Sequence, residues 1–139
     1  MGFKVFMAFG VLLIPGIMIF FGRLMADHPP KTINAACGYR TTMSMINQDT
    51  WDYAQAACAK RWRRWGRILA LITLVVLIVA LRRPAFADVL GFYTAFETVF
   101  LLASVAATEI DLRRTFDERG QRRDDRSSKK SLCMQRLFS

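Results

Sequence analysis

The chain has 139 residues, of which 53% are hydrophobic, and it carries a net charge of +9. This length suits a single domain, and the apolar content excludes wholesale disorder. The apolar residues form long runs instead of alternating with polar ones, which argues against an ordinary soluble globule. With three cysteines, no C-x-x-C spacing and one histidine, the sequence predicts neither a disulfide framework nor a metal site, and it suggests no cofactor.

Three apolar segments predict helices that cross a membrane. Residues 5–21 carry no charge and residues 89–107 carry only Glu97, so both suit a span of about 20 residues. Residues 68–81 are too few alone, but the preceding tryptophans and arginines can lie at the membrane boundary and complete the span. We therefore predict an all-α integral membrane protein with three transmembrane helices in a membrane domain over residues 1–112. The expected spans are residues 4–22, 65–82 and 87–110.

The positive charges predict how these helices are oriented. All but three of the 20 Lys and Arg residues lie either in the segment from Arg23 to Arg67 or after Ala107; the exceptions are Lys4, Arg82 and Arg83. The positive-inside rule places the C-terminus in the cytoplasm and the N-terminus outside, in an inner or plasma membrane. The alternative is a cleaved signal peptide over residues 1–26, but Leu24 stands where a small residue is preferred and the apolar region is longer than usual.

The segment between the first two spans predicts an additional helix on the membrane surface. Asn47 is a suitable N-cap. One apolar face follows at helical spacing, made by Trp51, Ala54, Cys58, Trp62 and Trp65. We expect a cytoplasmic interfacial amphipathic helix over residues 47–64. The arginines in and just after this helix are expected to contact anionic lipid headgroups of the bilayer. These arginines are Arg61, Arg63, Arg64 and Arg67.

A second pattern begins before this helix. It consists of Gly38-Tyr39-Arg40-Thr41, then Ser44, Asn47 and Thr50-Trp51, then Ala54, Lys60 and Gly66. These positions, within residues 36–81, resemble the SdpI family of bacterial membrane proteins, named for an immunity protein that protects its producer from the SdpC killing factor. Gln55 and Ala59 depart from the family pattern, which usually has Asn and Gly there, and the chain has fewer spans than SdpI itself. The resemblance implies a role in immunity or signalling, with a toxic peptide and a cytoplasmic regulator as partners.

The residue types of this motif also indicate binding. Arg40 offers five donors in a fixed fork and stays charged, so it suits a phosphate, a carboxylate or backbone carbonyl groups. Gly38 permits a tight turn, and Tyr39 suits the membrane boundary. The short polar residues able to cap the turn and the next helix are Thr41, Ser44 and Asn47. The loop either docks the following helix or binds a ligand or partner, and for Trp51 packing is favoured over binding.

Glu97 is the second candidate site. An acidic residue at the centre of a span costs about 2.5–3.5 kcal/mol on insertion scales, so its carboxyl should be protonated, paired or facing a polar cavity. Tyr93 lies four residues earlier and shares its helix face. Glu97 either forms a single interhelical hydrogen bond that sets helix packing or takes part in transport. A homo-oligomer could supply a partner for its carboxyl.

Residues 113–139 are predicted to form a basic, solvated cytoplasmic tail. No groove-reading or aromatic pattern favours nucleic acid, and no phosphate loop or nucleophile–base set favours an enzyme. Three functions are therefore considered. They are SdpI-like immunity or sensing, a small proton- or solute-coupled transport unit that uses Glu97, and a structural membrane adaptor.

Overall fold

The computed structural model describes residues 2–34 and 36–123, and three long helices account for most of them. Helix α1 spans Gly2–Asp27, α2 spans Gln48–Leu81 and α3 spans Phe86–Thr115. Each of the three is long and apolar enough to cross a membrane. The prediction of an all-helical protein is confirmed, and its three helices are long and apolar enough to span a membrane.

Helix α2 lies antiparallel to both of its neighbours. Along α1, Gly66 faces Met18 and Ala80 packs near Val11, so residue numbers fall on one helix as they rise on the other. A short turn after Leu81 returns the chain into α3. The C-terminal ends of α1 and α3 therefore lie at the same end of the bundle as the start of α2.

Glycines let α1 and α2 approach closely where they cross. A Cβ atom at Gly22 would lie 2.8 Å from the backbone nitrogen of Arg63, and one at Gly66 would lie 3.0 Å from the Cβ atom of Met18. Small residues at such crossings allow close backbone packing, which is typical of helices in membranes. The crossing at Gly22 places Arg63 beside the polar end of α1.

Helix α2 is continuous where the sequence suggested two helices. The separate interfacial helix predicted over residues 47–64 is not supported, because these residues belong to one helix of 34 residues that reaches Leu81. At a rise of 1.5 Å per residue the helix is about 51 Å long. That length exceeds the roughly 30 Å of hydrocarbon in a bilayer, so the first turns of α2 extend beyond the apolar part of the span.

The physical reason for the difference lies in the apolar face of the first half of α2. Ala54 and Cys58 are 0% and 1% exposed, and they belong to a cluster with Tyr39, Leu112 and Phe116. The face is therefore covered by the preceding loop and by the end of α3. Protein contacts replace the lipid contacts that the sequence pattern suggested.

A second apolar cluster closes the opposite end of the bundle. It contains Val11 of α1, Ala80 of α2, and Phe86 and Leu90 of α3. The exposed apolar side chains lie mostly on the outer faces of the three helices, where a bilayer would contact them.

Residues 116–123 fold back from α3 onto the start of α2, and we call this segment the C-terminal hook. Phe116 is fully buried and forms a β-bridge with Arg122. The Asn47 side-chain amide donates to the Gly120 carbonyl at 2.8 Å, and Arg122 donates twice to Asp49 at 2.9 Å. The first part of the predicted solvated tail is thus packed against the protein, and residues 124–139 lie outside the described residues.

Candidate functional site

The loop between α1 and α2 turns at Gly38. Its φ of +102° lies in the left-handed region that favours glycine. A Cβ atom here would also lie 2.6 Å from Oε1 of Gln55. Backbone conformation and close approach therefore both require glycine at this position.

The side-chain amide of Gln55 holds the backbone of Tyr39 at two points. Its Oε1 accepts from the Tyr39 N–H at 2.7 Å, and its Nε2 donates to the Tyr39 carbonyl at 2.8 Å. Gln55 is 1% exposed, so water has little access to these bonds. The amide thus pairs with both backbone polar groups of Tyr39 and joins the loop to α2.

Tyr39 also connects the loop to α3. Its phenol hydroxyl donates to the carbonyl of Val105 at 3.1 Å. Burial, followed by the negative charge of Glu109, raises the pKa of Tyr39 to about 12. The hydroxyl therefore remains a hydrogen-bond donor over the physiological pH range.

The short polar residues of the motif stabilise the loop and cap α2. Ser44 Oγ accepts from the Thr41 N–H at 2.8 Å, and Thr41 Oγ1 accepts from the Ser44 N–H at 3.2 Å. Asn47 is the N-cap of α2, where its side chain accepts from the Thr50 N–H at 2.9 Å. In turn, Thr50 Oγ1 accepts from the Asn47 N–H at 3.1 Å. This reciprocal pair is a capping box. These side chains are occupied within the loop and leave little capacity for a ligand.

Trp51 anchors the chain where it leaves α1. The residue is 0% exposed, and its indole N–H donates to the carbonyl of Pro30 at 2.7 Å. The ring is fully enclosed by the protein.

Arg40 is the motif residue that the structure leaves available. Its side chain is exposed and forms no hydrogen bond or ion pair with another described residue. It lies at a cavity of about 670 Å³, here called the Arg40 cavity, between the loop and the three helices. Its apolar lining includes Ile17, Phe21, Leu24, Cys58, Trp62 and Val105. The cavity therefore combines an apolar wall with one free guanidinium.

The four arginines expected at the lipid surface divide between two sides of α2. Arg61 differs from that expectation, because its guanidinium forms an ion pair with Asp111 of α3. Arg64 is exposed and lines a cavity on the same side as Asp111. Arg63 and Arg67 instead line a cavity against α1.

Glu97 lies inside the bundle and is 0% exposed. Its Oε1 accepts from the hydroxyl of Thr73 at 2.7 Å, and Tyr93 places its own hydroxyl 3.0 Å from the same Thr73 oxygen. Oε2 has no hydrogen-bond partner among the described residues. The carboxyl is enclosed by residues of this one chain.

Two important residues escaped the sequence analysis. Gln55 was noted only as a departure from the family pattern, although a glutamine between Ala54 and Cys58 on an apolar helix face signals a buried hydrogen bond. Thr73 lies in an otherwise apolar run, where a lone hydroxyl similarly suggests an interhelical partner. Within residues 2–34 and 36–123, no group of three or more His, Cys, Asp or Glu side chains could hold a metal ion.

Comparisons with known proteins agree with the motif. A 39-residue stretch is 49% identical to "Uncharacterized protein YfhL" of Bacillus subtilis (strain 168), covering 28% of this chain and 36% of that protein. The chain thus matches only about a third of the length of this relative. No solved structure matches this chain. Residues 31–108, more than half of the chain and including the whole loop motif, match the SdpI/YfhL protein family, and the chain belongs to that family.

Proposed function

We propose that the chain is a membrane immunity or sensing protein that recognises a membrane-active toxic peptide at the Arg40 cavity and relays this to a cytoplasmic partner. The observation that supports this proposal is the free Arg40 guanidinium beside an apolar wall. An apolar wall suits the apolar face of an amphipathic peptide, and a guanidinium suits a carboxylate or backbone carbonyl groups. Since the loop is already held by hydrogen bonds, little ordering is required when a peptide binds.

The test is a sensitivity assay in the host. Deleting the gene should increase killing by at least one peptide in a panel of envelope-active peptides, and the intact gene should restore protection. Arg40→Ala should lose protection. Arg83 is also an exposed arginine but lies beyond the opposite end of α2, so Arg83→Ala should keep protection. Membrane levels of each variant are measured by immunoblot. Equal killing of the deletion and parent strains across the panel would count against the proposal.

The proposed orientation has the N-terminus outside and the C-terminus in the cytoplasm, which places the Arg40 cavity at the inner side of the membrane. Cys37 is exposed in the motif loop, whereas Cys58 is buried, so Cys37 is the informative probe. With Cys58→Ala and Cys133→Ser, a membrane-impermeant thiol reagent should leave intact cells unlabelled and should label opened cells. Adding Arg83→Cys to a chain lacking Cys37 should give labelling of intact cells. The reverse pattern would overturn the orientation.

A small proton- or solute-coupled transport unit is the second candidate function. The observation that favours it is the buried Glu97 carboxyl, of which one oxygen is bound by Thr73 and the other lacks a described partner. This candidate predicts that Glu97→Gln abolishes activity while the protein still accumulates in the membrane. Peptide protection that survives Glu97→Gln but fails in Arg40→Ala would favour the first proposal.

The structural adaptor is a weaker third candidate. It predicts that function survives Arg40→Ala and is lost when Arg61, Arg63 and Arg64 are neutralised together. Because Arg61 of α2 is paired with Asp111 of α3, the triple variant needs a parallel measurement of folding.

A further inference from the structure

A second cavity lies between α1 and α2 and is separate from the Arg40 cavity. It has a volume of about 250 Å³ and is lined by Ile19, Arg23, Asp27, Arg63 and Arg67. We call it the arginine pocket. Three of its five lining side chains are guanidinium groups, and one is a carboxylate.

Helix geometry brings these arginines together. Arg63 and Arg67 are four residues apart and therefore share one face of α2. Gly22 allows the backbone of α1 to approach Arg63, and this places its neighbour Arg23 at the same crossing. The Arg67 side chain is oriented by a hydrogen bond from its Nε to the Arg63 carbonyl at 2.9 Å.

The charges of the pocket are not balanced within the described part of the protein. None of Arg23, Arg63, Arg67 and Asp27 takes part in one of the ion pairs that the structure shows. Three positive groups face one negative group, and like charges at helical spacing repel one another. A bound anion would relieve this repulsion, whereas Arg61 already has its carboxylate in Asp111.

The position of the pocket narrows the choice of anion. Ile19 belongs to the apolar part of α1, while Arg23 and Asp27 belong to its polar end, so the pocket lies where a membrane span meets the headgroup region. Guanidinium groups match the geometry of phosphate oxygens, and basic pockets between membrane helices bind anionic lipid headgroups. We propose that the arginine pocket binds the phosphodiester of an anionic phospholipid such as phosphatidylglycerol. This proposal does not depend on the function of the Arg40 cavity.

The experiment measures lipid retention by the purified full-length chain. Native mass spectrometry follows titrations with phosphatidylglycerol, with phosphatidylcholine of the same chain length, and with inorganic phosphate. Each arginine beside an anionic headgroup contributes on the order of a fivefold gain, so Arg23→Gln with Arg67→Gln should weaken phosphatidylglycerol binding about 25-fold. The matched control removes the same charge at two exposed positions outside the pocket, Arg114→Gln with Arg119→Gln, and should change binding by less than about threefold.

A third variant protects the test against loss of folding. Asp27→Asn removes the acidic group of the pocket and should strengthen phosphatidylglycerol binding, by about threefold, a gain that a misfolded protein would not show. Equal retention of phosphatidylcholine and phosphatidylglycerol would overturn the proposal. Equal losses in the pocket and control variants would also overturn it. Inorganic phosphate that binds the pocket but does not affect the retention of phosphatidylglycerol would overturn it as well.

Discussion

Replacing Gln55 with leucine removes the amide that joins the motif loop to α2 while keeping a side chain of similar volume. The Tyr39 N–H then loses its partner at 2.7 Å, and the Tyr39 carbonyl loses the bond at 2.8 Å. Because Gln55 is 1% exposed, water does not easily replace these bonds. The loop that carries Arg40 should therefore detach before the helices themselves separate.

The two lost bonds have unequal costs. An orphaned buried donor costs about 1–3 kcal/mol, and this applies to the Tyr39 N–H. The Tyr39 carbonyl keeps a second bond from Ser44 Oγ at 3.2 Å, so its loss is closer to the net value of about 0.5–1.5 kcal/mol. The expected decrease in the free energy of unfolding for Gln55→Leu is therefore about 2–4 kcal/mol.

The matched control lies about two turns before Gln55 on α2. Gln48 is also a glutamine of α2, but the hydrogen bonds that its side-chain amide donates to the Lys31 carbonyl and to Asp52 are exposed. Gln48→Leu should cost less than about 0.5 kcal/mol. Both variants are compared by denaturant-induced unfolding in the same detergent, with proteolysis of the loop as a second measure. If the two variants unfold alike, the reasoning about Gln55 fails.

Gly22→Ala should lower the free energy of unfolding by about 1–3 kcal/mol in the same assay, because the new Cβ would lie 2.8 Å from the backbone nitrogen of Arg63. Gly16→Ala should cause no such loss, because nothing lies within 4 Å of its new Cβ. Equal effects of the two variants would contradict the close crossing. The Arg122 guanidinium lowers the pKa of Asp49, so the hook contact is present above the usual Asp range and is lost as the pH falls through the lowered pKa. Proteolysis of the hook should increase with acid in the parent and be constitutively higher in Asp49→Asn; an unchanged cleavage rate would refute the contact. The raised pKa of Tyr39, about 12, predicts that its contribution to stability declines as the pH rises from 10 towards 12. Tyr39→Phe should remove that decline, and a parent protein with no such decline would contradict it.

The membrane spans could be predicted from the sequence because hydropathy depends on composition over a long window. The run from Trp51 to Gly66 contains no proline, which is consistent with one continuous α2, but its apolar face suits lipid and protein equally well, so the sequence did not show which of the two covers it. What decides the matter is the burial of Ala54 and Cys58 by the loop and by α3. Those contacts join distant parts of the chain and leave no periodic signal.

The candidate site shows the same limit. Asn47 could be recognised as an N-cap because capping depends on neighbouring residues, and the structure places it there. Its second contact, to Gly120 in the C-terminal hook, spans 73 positions and has no local signature. Likewise, the ion pair of Arg61 with Asp111 depends on the register of two helices. Sequence alone shows that an arginine is charged, but not which arginine is already neutralised.

The unbroken course of α2 has a mechanical consequence. One rigid rod connects Ala80, packed at the far end of the bundle, with Trp51 beside the motif loop. With a rise of 1.5 Å per residue, a tilt of about 5° pivoting at Ala80 would move Trp51 by about 4 Å. Because Gln55 of this helix is bonded to the backbone of Tyr39, such a tilt would move the neighbouring Arg40 by a distance that is large on the scale of a hydrogen bond.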